Sequence, residues 1–255
     1  CNQYTEKELV KKKTGKDSKR FIEKEIIQGL GAGRKAADIK RSDVRDWFEA
    51  KTTTGSRMSP DGESLPSPVS ANRMLELLRR IYNWGSKEDK FGDDVNLNPT
   101  IGIDLNHENP SPRHLSSNEI KDFLERIDGC DGLGQSVADA LRLTLFTAQR
   151  SGEVVNAEWS EIKLAQKVWK QPGEKTKNGN PNAVPLNSLA IEVLKKQKAN
   201  QKHDETRVFP GLNQKSLARA LNRQKDGVYV SRRHLGAWCE KDPFTPHSLR
   251  HTTIS

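Results

Sequence analysis

Residues 141–162, LRLTLFTAQRSGEVVNAEWSEI, constrain this chain more than any other stretch. A nearly all-apolar run from Leu141 to Ala148 stops at a single arginine, Arg150, followed by Ser151, Gly152 and Glu153. A helix that is apolar on every face has to be buried. A guanidinium at its mouth, where a small Ser-Gly pair lets the chain turn, is then held beside the core. Half-buried arginine is rare unless an anion meets it. Glu153, three residues on, is a local candidate on the same helical face. The plainer reading is an ion pair tying two helices together, and the sharper one is an arginine aimed at a phosphate. The rest of the chain has to decide between them.

Charge favours the second. The chain carries a net +9 over 255 residues, with a pI near 9.4, which suits a polyanionic partner. The excess is uneven: residues 1–110 hold 20 Lys+Arg against 18 Asp+Glu, and residues 111–255 hold 23 against 16. Hydrophobic residues make up 33% and charged ones 30%, a polar chain that can still bury modest cores. Cys1, Cys130 and Cys239 are odd in number and far apart, so neither a disulfide framework nor a paired-thiolate metal site follows, and a reducing cytoplasm is expected. No apolar run approaches the ~20 residues needed to cross a bilayer, and no membrane partner is expected. The chain opens on Cys1 and stops at Ser255 within an expected helix, and so reads as a fragment of a longer protein.

Two domains are expected, 1–105 and 115–255, joined by a linker over 106–114 whose sequence is NHENPSPRH. The first is helical. A polar helix over 4–28 carries Lys11–Lys13, Lys16, Lys19 and Arg20 on a basic face, which a solvated surface explains as well as a phosphate-facing one does. Glycines at 29–33 break it, Ser42 caps a helix over 43–51, and a polar Gly/Ser/Pro loop spans 52–69. Over 70–88, Ala71, Met74, Leu75, Leu78, Ile81, Tyr82 and Gly85 step at three and four, while Arg73, Arg79, Arg80 and Lys87 line the other side as candidate DNA contacts.

The second domain opens on a capping box, Ser116 with Glu119, ahead of a helix bearing Ile120, Phe123, Leu124 and Ile127. After the buried helix and a short one to Trp159, the period changes. EIKLAQKVWKQ and NAVPL alternate as short strands around EKTKNGNP, whose Asn-Gly signals a turn and whose Lys177 sits at a strand edge. Helices resume over 188–199 and 214–224. A last one starts at Thr245-Pro246 and places His247 and Arg250 in its first turns, where helix-end N–H groups favour an anion. The expected fold class is mainly α with a small antiparallel β-sheet or hairpin.

Two arginines, a lysine and a histidine at helix mouths and a turn suggest one common target. Metal-free phosphodiester chemistry needs such a set. Two guanidiniums can hold the non-bridging oxygens as phosphorus becomes five-coordinate, each worth about 3–4 kcal/mol. A lysine can protonate a departing alkoxide, and a histidine can shuttle or orient a proton. Each residue alone is weak evidence: a turn lysine is usually solvated, and a histidine near a helix start is often a cap. His247 and His251, four apart, are also compatible with half a zinc site, but no thiolate pair or HExxH accompanies them, and no metal is expected.

TAQRSGEV at 147–154, TKNG at 176–179 with VPL at 184–186, and HSLRH at 247–251 resemble, in order and spacing, successive motifs of the tyrosine recombinases. The nearest resemblance is to phage and genomic-island integrases of the satellite-phage type. In those, SANRMLELLRRIYNWGSKED (70–89) and LNPTIGI (97–103) resemble the helical core-binding, SAM-like domain. The resemblance implies that Arg150 is the first family arginine, Glu153 its acidic companion, Lys177 the hairpin lysine that protonates the leaving 5′ oxygen, and His247 with Arg250 the HxxR pair. It implies cleavage and rejoining of double-stranded DNA at attachment sites through a 3′-phosphotyrosyl link, to integrate or excise a mobile element. No metal or nucleotide cofactor is implied. A homotetramer on synapsed DNA, accessory DNA-bending proteins and a bacterial, nucleoid-associated location are.

The sequence departs from the family at its end. Only five residues follow Arg250, and Tyr4, Tyr82 and Tyr229 all precede that motif, so the nucleophilic tyrosine and the second histidine or tryptophan are expected beyond Ser255. An arm-binding domain ahead of residue 1 is also missing from the chain. As it stands the chain is expected to bind DNA without cutting it, as an incomplete catalytic domain. The alternatives are a non-catalytic DNA-binding remnant of a prophage integrase and a type IB topoisomerase, against which the short helical front domain argues.

Overall fold

A computed structural model describes residues 1–10, 15–55, 59, 62–91, 98–108, 113–128, 133–176, 178–221, 224–225, 228–229 and 244–254. The chain divides into two compact units, Cys1–Pro110 and Ser111–Ser255. The architecture is mainly α-helical with a small antiparallel three-stranded sheet. The basic run Lys11–Lys13 lies outside the described residues.

The first unit is helical. Short helices Asn2–Tyr4 (α1), Gly15–Phe21 (α2) and Ile27–Leu30 (α3) are joined by wider helical turns, Thr5–Leu9 and Ile22–Ile26. The helix ends at Gly31, whose φ of 101° only glycine adopts readily. Arg41–Thr53 (α4) begins two residues before the expected start. Ser42 is therefore inside the helix, and the cap is different: the Asp43 carboxylate accepts the Lys40 backbone N–H at 2.8 Å and an Arg34 Nη2–H at 2.7 Å. Pro68–Lys87 (α5) buries Ala71, Met74, Leu75, Leu78, Ile81, Tyr82 and Gly85, the stripe read from its spacing. These meet Ile22, Ile26, Val44, Trp47 and Phe48 in one core. The Tyr82 hydroxyl donates to the Ala36 carbonyl at 2.9 Å, and burial pushes its pKa up to about 12.

One polar residue sits inside this core. Asn72 is fully buried, and it exchanges hydrogen bonds with the Asn106 backbone, donating to the carbonyl at 2.9 Å and accepting the N–H at 2.8 Å. An unpaired amide here would cost about 1–3 kcal/mol, so the pair fixes the 98–108 segment along α5.

The second unit opens at Ser117–Asp128 (α6), whose capping box forms as read: Glu119 accepts the Ser116 N–H at 2.8 Å and returns its own N–H to Ser116 Oγ at 3.4 Å. Gln135–Thr147 (α7) is the buried central helix. It is not apolar on all faces, as its sequence suggested. Asp139, Arg142, Thr144 and Thr147 are buried as well. Arg142 donates to Asp139 at 2.8 Å and pairs with Asp128, while Gln197 donates to the second Asp139 oxygen at 2.7 Å. A buried ion pair persists only when its remaining polar atoms are satisfied, and this network does that.

Ser151–Val155 (α8) follows α7. The sheet comprises Ile162–Lys163 (β1), Val168–Gln171 (β2) and Asn182–Pro185 (β3) in that order, with Trp169 opposite both Ile162 and Val184. The segment expected as one strand over 161–171 is two, because a 3₁₀ turn over Leu164–Gln166 ends at Lys167 with φ 53°. Ser188–Ala199 (α9) matches its expected span, whereas Gln214–Leu221 (α10) stops short of 224. There Gln224–Lys225 (β4) pairs antiparallel with Val228–Tyr229 (β5). Pro246–Ile254 (α11) starts as expected, with Thr245 and Ser248 exchanging N–H to hydroxyl bonds at 3.1 and 3.3 Å. Leu249 and Phe244 bury against the core formed around α7.

Glu119 yields a pH prediction. The Arg113 guanidinium, helped by Ser116 and opposed by partial burial, holds its carboxyl down at about 2. A depressed folded-state pKa contributes stability that is complete above the unfolded value near 4.3 and disappears as pH falls toward 2. Glu119→Gln should therefore destabilise the second unit by about 2 kcal/mol at pH 7, with the difference shrinking to near zero at pH 2. Urea unfolding across that pH range measures it, and a pH-independent difference would contradict the account.

Candidate functional site

The candidate site is built on the C-terminal end of α7. The last carbonyls of a helix have no partner within it and must find one elsewhere. Here three are met by side chains from three different segments. The Leu145 carbonyl accepts from Thr253 Oγ1 on α11. The Phe146 carbonyl accepts from Asn187 Nδ2, the cap of α9, at 3.0 Å. The Thr147 carbonyl accepts from Gln149 Nε2 at 3.0 Å. The chain then reverses at Ala148, which has a left-handed φ of 55°.

That geometry corrects one expectation. The turn is not made by Ser151 and Gly152, which already lie in the first turn of α8. Gly152 packs against the side-chain amide of Gln214 at the start of α10, which would have to shift to admit a Cβ.

Arg150 caps α8. Its backbone N–H donates to one Glu153 oxygen at 3.0 Å and its Nη1 to the other at 2.8 Å. Glu153 is thereby tied up on both oxygens, with its side chain 9% exposed, while the guanidinium remains 35% exposed. Of the sequence readings of Arg150, the pair with Glu153 exists, but within α8 and its cap rather than between two helices, and the Arg150 side chain still reaches solvent.

Lys177 lies outside the described residues. Both sides of it are held. The Thr176 hydroxyl is 2.9 Å from the Gly173 carbonyl and 2.8 Å from that of Asn180. A Cβ on Gly173 would meet the Gly179 carbonyl oxygen at 2.4 Å, so glycine is required for that approach. Lys175 bridges Glu158 at 2.6 Å and Glu161 at 2.5 Å, and Glu161 also accepts the Trp169 indole N–H at 3.0 Å. Desolvation works against the Lys175 charge, but the two carboxylates outweigh it and hold its pKa above the ordinary lysine value. At the base of the loop Asn182 Nδ2 donates to Gln149 Oε1 at 3.2 Å and to Gln171 Oε1 at 3.1 Å.

On α11, His247 is exposed and its ring lies edge-on to that of His251, centroids 4.4 Å apart. Arg250 Nε is buried with no hydrogen-bond partner among the described residues. Arg250 is three residues before Thr253, hence on the same side of α11 as the bond to Leu145. The sequence motifs around 150, 177 and 247–250 are thus fastened to one helix end. Gln149, Asn182, Asn187 and Thr253, which do the fastening, were not singled out in the sequence; ordinary polar residues in loops and helix ends carry no periodic signal.

In the first unit the four basic candidates fare differently. Arg79 donates to the Ile103 carbonyl at 3.1 Å and is half-buried in holding the 98–108 segment. Arg73 pairs with Glu76 at 3.2 Å and Glu108 at 2.9 Å. Arg80 and Lys87 are exposed. No group of three or more His, Cys, Asp or Glu residues among the described residues is arranged to hold a metal ion.

The reversal at Ala148 gives a stability prediction. A left-handed φ costs an alanine about 1 kcal/mol and a β-branched residue more, while glycine removes that strain but gains entropy in the unfolded chain. Ala148→Gly should leave stability within about 0.5 kcal/mol of the parent. Ala148→Val should lose about 2 kcal/mol or more. Equal urea midpoints for the valine variant and the parent would refute the assignment.

Comparison with known proteins bears on the whole arrangement. The model of the phage integrase family matches residues 113–255. Prophage integrase IntZ of Escherichia coli (strain K12) is 25% identical over 211 residues, 79% of this chain and 48% of that protein. The integrase of Salmonella phage P22 is 28% identical over 188 residues, 71% of this chain and 45% of that one. The chain spans about half the length of these relatives. Among solved structures, a lambda integrase tetramer bound to a Holliday junction aligns with a TM-score of 0.70 at 18% identity, over 99% of this chain and 67% of that one. The Tn1549 transposon integrase with circular intermediate DNA aligns with a TM-score of 0.63 at 16% identity, over 99% of this chain and 83% of that one. The latter two likenesses are of fold, while the family match covers more than half of the sequence: the chain belongs to the phage integrase family.

Proposed function

We propose that this chain is part of a tyrosine-type site-specific DNA recombinase, of the satellite-phage integrase kind, that integrates or excises a mobile element. The observation that carries the reading is the end of α7. One short segment, residues 145–149, leads directly into Arg150 and is bonded to the base of the 172–181 loop and to the Arg250 side of α11. The buried Arg250 Nε, which has no partner among the described residues, supports it, since such a donor suits an anion.

In this reading duplex DNA lies against the second unit. Arg150 and Arg250 hold the two non-bridging oxygens of the scissile phosphate, and Glu153 fixes the plane of Arg150. A tyrosine beyond Ser255 attacks phosphorus, forming a 3′-phosphotyrosyl bond as the bond to the 5′ oxygen breaks. Lys177 gives that oxygen its proton, and His247 orients or shuttles one. Attack by the 5′ hydroxyl of a second strand reverses the step and releases the tyrosine, so bond energy is conserved and no nucleotide is consumed. The first unit, 1–105, acts as the core-binding domain, with the exposed Arg80 and Lys87 its better candidates for phosphate contact and Arg73 and Arg79 the weaker. Four copies on two attachment sites, with DNA-bending proteins assisting, complete the assembly.

The test uses the full-length protein, extended through its C-terminus. Arg150→Lys and Arg250→Lys should each lower strand cleavage at least about 100-fold, because a point charge replaces a forked donor. Lys177→Ala should be comparably slow on ordinary DNA but largely restored on DNA carrying a 5′-phosphorothiolate at the break, whose sulfur leaves without an acid. The arginine variants should not be restored. Equal rescue of Lys177→Ala and Arg150→Lys, or no rescue of Lys177→Ala, would overturn the assigned roles. Binding of the present chain to duplex DNA should weaken steeply with salt through counterion release, and a log–log slope near zero would contradict DNA binding.

A further inference from the structure

The reading above gives Lys177 and Arg150 separate tasks on one phosphate, and the two must be held in register. They come from different elements: Arg150 from the α7–α8 corner, Lys177 from the loop between β2 and β3. One polar chain joins those elements. Gln149, the residue before Arg150, donates Nε2 to the Thr147 carbonyl at 3.0 Å and accepts from Asn182 Nδ2 on its Oε1 at 3.2 Å. Asn182 is the first residue of β3, and the same Nδ2 reaches Gln171 Oε1, on the last residue of β2, at 3.1 Å. Gln171 is itself buried, 4% exposed. The Gln149 carboxamide thus uses its donor end to cap α7 and its acceptor end to hold both strands where the loop leaves the sheet.

We propose that Gln149 is a positioning residue, bridging to Asn182 so that the loop bearing the proton donor stays registered against Arg150. The proposal rests on the reading of Lys177 as the acid. An amide is needed because both ends work at once: a carboxylate would lack the donor for Thr147, and an apolar side chain of the same length would lack both. The geometry also separates this role from that of Lys175. Its ion pairs with Glu158 and Glu161 anchor the outer part of the loop to the α8–β1 connection and do not touch the Arg150 corner.

The experiment is a double-mutant cycle in the full-length protein, with Gln149→Met and Asn182→Ala alone and together, on oxygen and 5′-phosphorothiolate DNA. Each single variant should slow cleavage of ordinary DNA about 10-fold at saturating DNA, with the dissociation constant unchanged. The double variant should be no slower than either single one, since both remove the same link. On phosphorothiolate DNA the loss should fall to less than about 3-fold, because the misplaced donor is no longer needed. A purely structural role would slow both substrates alike. Equal losses on the two substrates, additive effects, wild-type rates in the single variants, or thermal unfolding midpoints lowered enough to explain the loss would each overturn the proposal. Lys177→Ala run in parallel distinguishes the failures: if it is not rescued by sulfur, the acid assignment falls and this inference falls with it. If it is rescued while Gln149→Met is not, only the bridge is wrong.

Discussion

The second unit depends on a simple requirement, that the carbonyl groups ending a buried helix have hydrogen-bond partners. α7 runs through the core and its last carbonyls emerge at a half-buried turn, residues 148–150, where no partner within the helix is left for them. Thr253, Asn187 and Gln149 serve them instead. Each belongs to a different part of the fold, so satisfying one helix end draws together α11, the start of α9 and the corner leading to α8. The buried Asp139–Arg142–Gln197 network has a related effect at the other end, where it fixes the rotation of α7 about its axis and hence the direction in which the helix ends.

Electrostatics in the site is organised by carboxylates that are themselves buried or doubly engaged. Glu153 holds Arg150 while leaving part of the guanidinium exposed, and Glu161 holds Lys175 while accepting from Trp169. In each case the anion is anchored by a second donor.

Much of this was legible in the sequence, and the parts that were not share a cause. The stripe from Ala71 to Gly85 gave α5, and Ser116 with Glu119 gave the start of α6, because period and capping are local properties. Arg150, Glu153 and the Thr245-Pro246 helix start were legible for the same reason. The misreadings came where a long-range partner overrode a local signal. Asp43, paired with Arg34, moved the α4 cap from Ser42 to Lys40. Ala148, rather than the adjacent Ser-Gly pair, took the left-handed turn. Arg142 lay inside what looked like a nearly apolar run and Asp139 just before it, and their burial depends on partners such as Gln197, 58 residues away from Asp139. Arg79, read as a surface residue, holds the 98–108 segment.

The bond between Thr253 and Leu145 spans 108 positions, and that between Leu115 and Thr252 spans 137. A ribosome makes the chain from its N-terminus, at about 5–20 residues per second. α7 and the Arg150 corner are therefore synthesised many seconds before the helix that completes them. Until α11 emerges and docks, the Leu145 carbonyl lacks its threonine and Arg250 is not yet in place. A nascent chain can then hold a folded first unit while the end of α7 in the second is still uncapped, so the packing around that helix end is completed late.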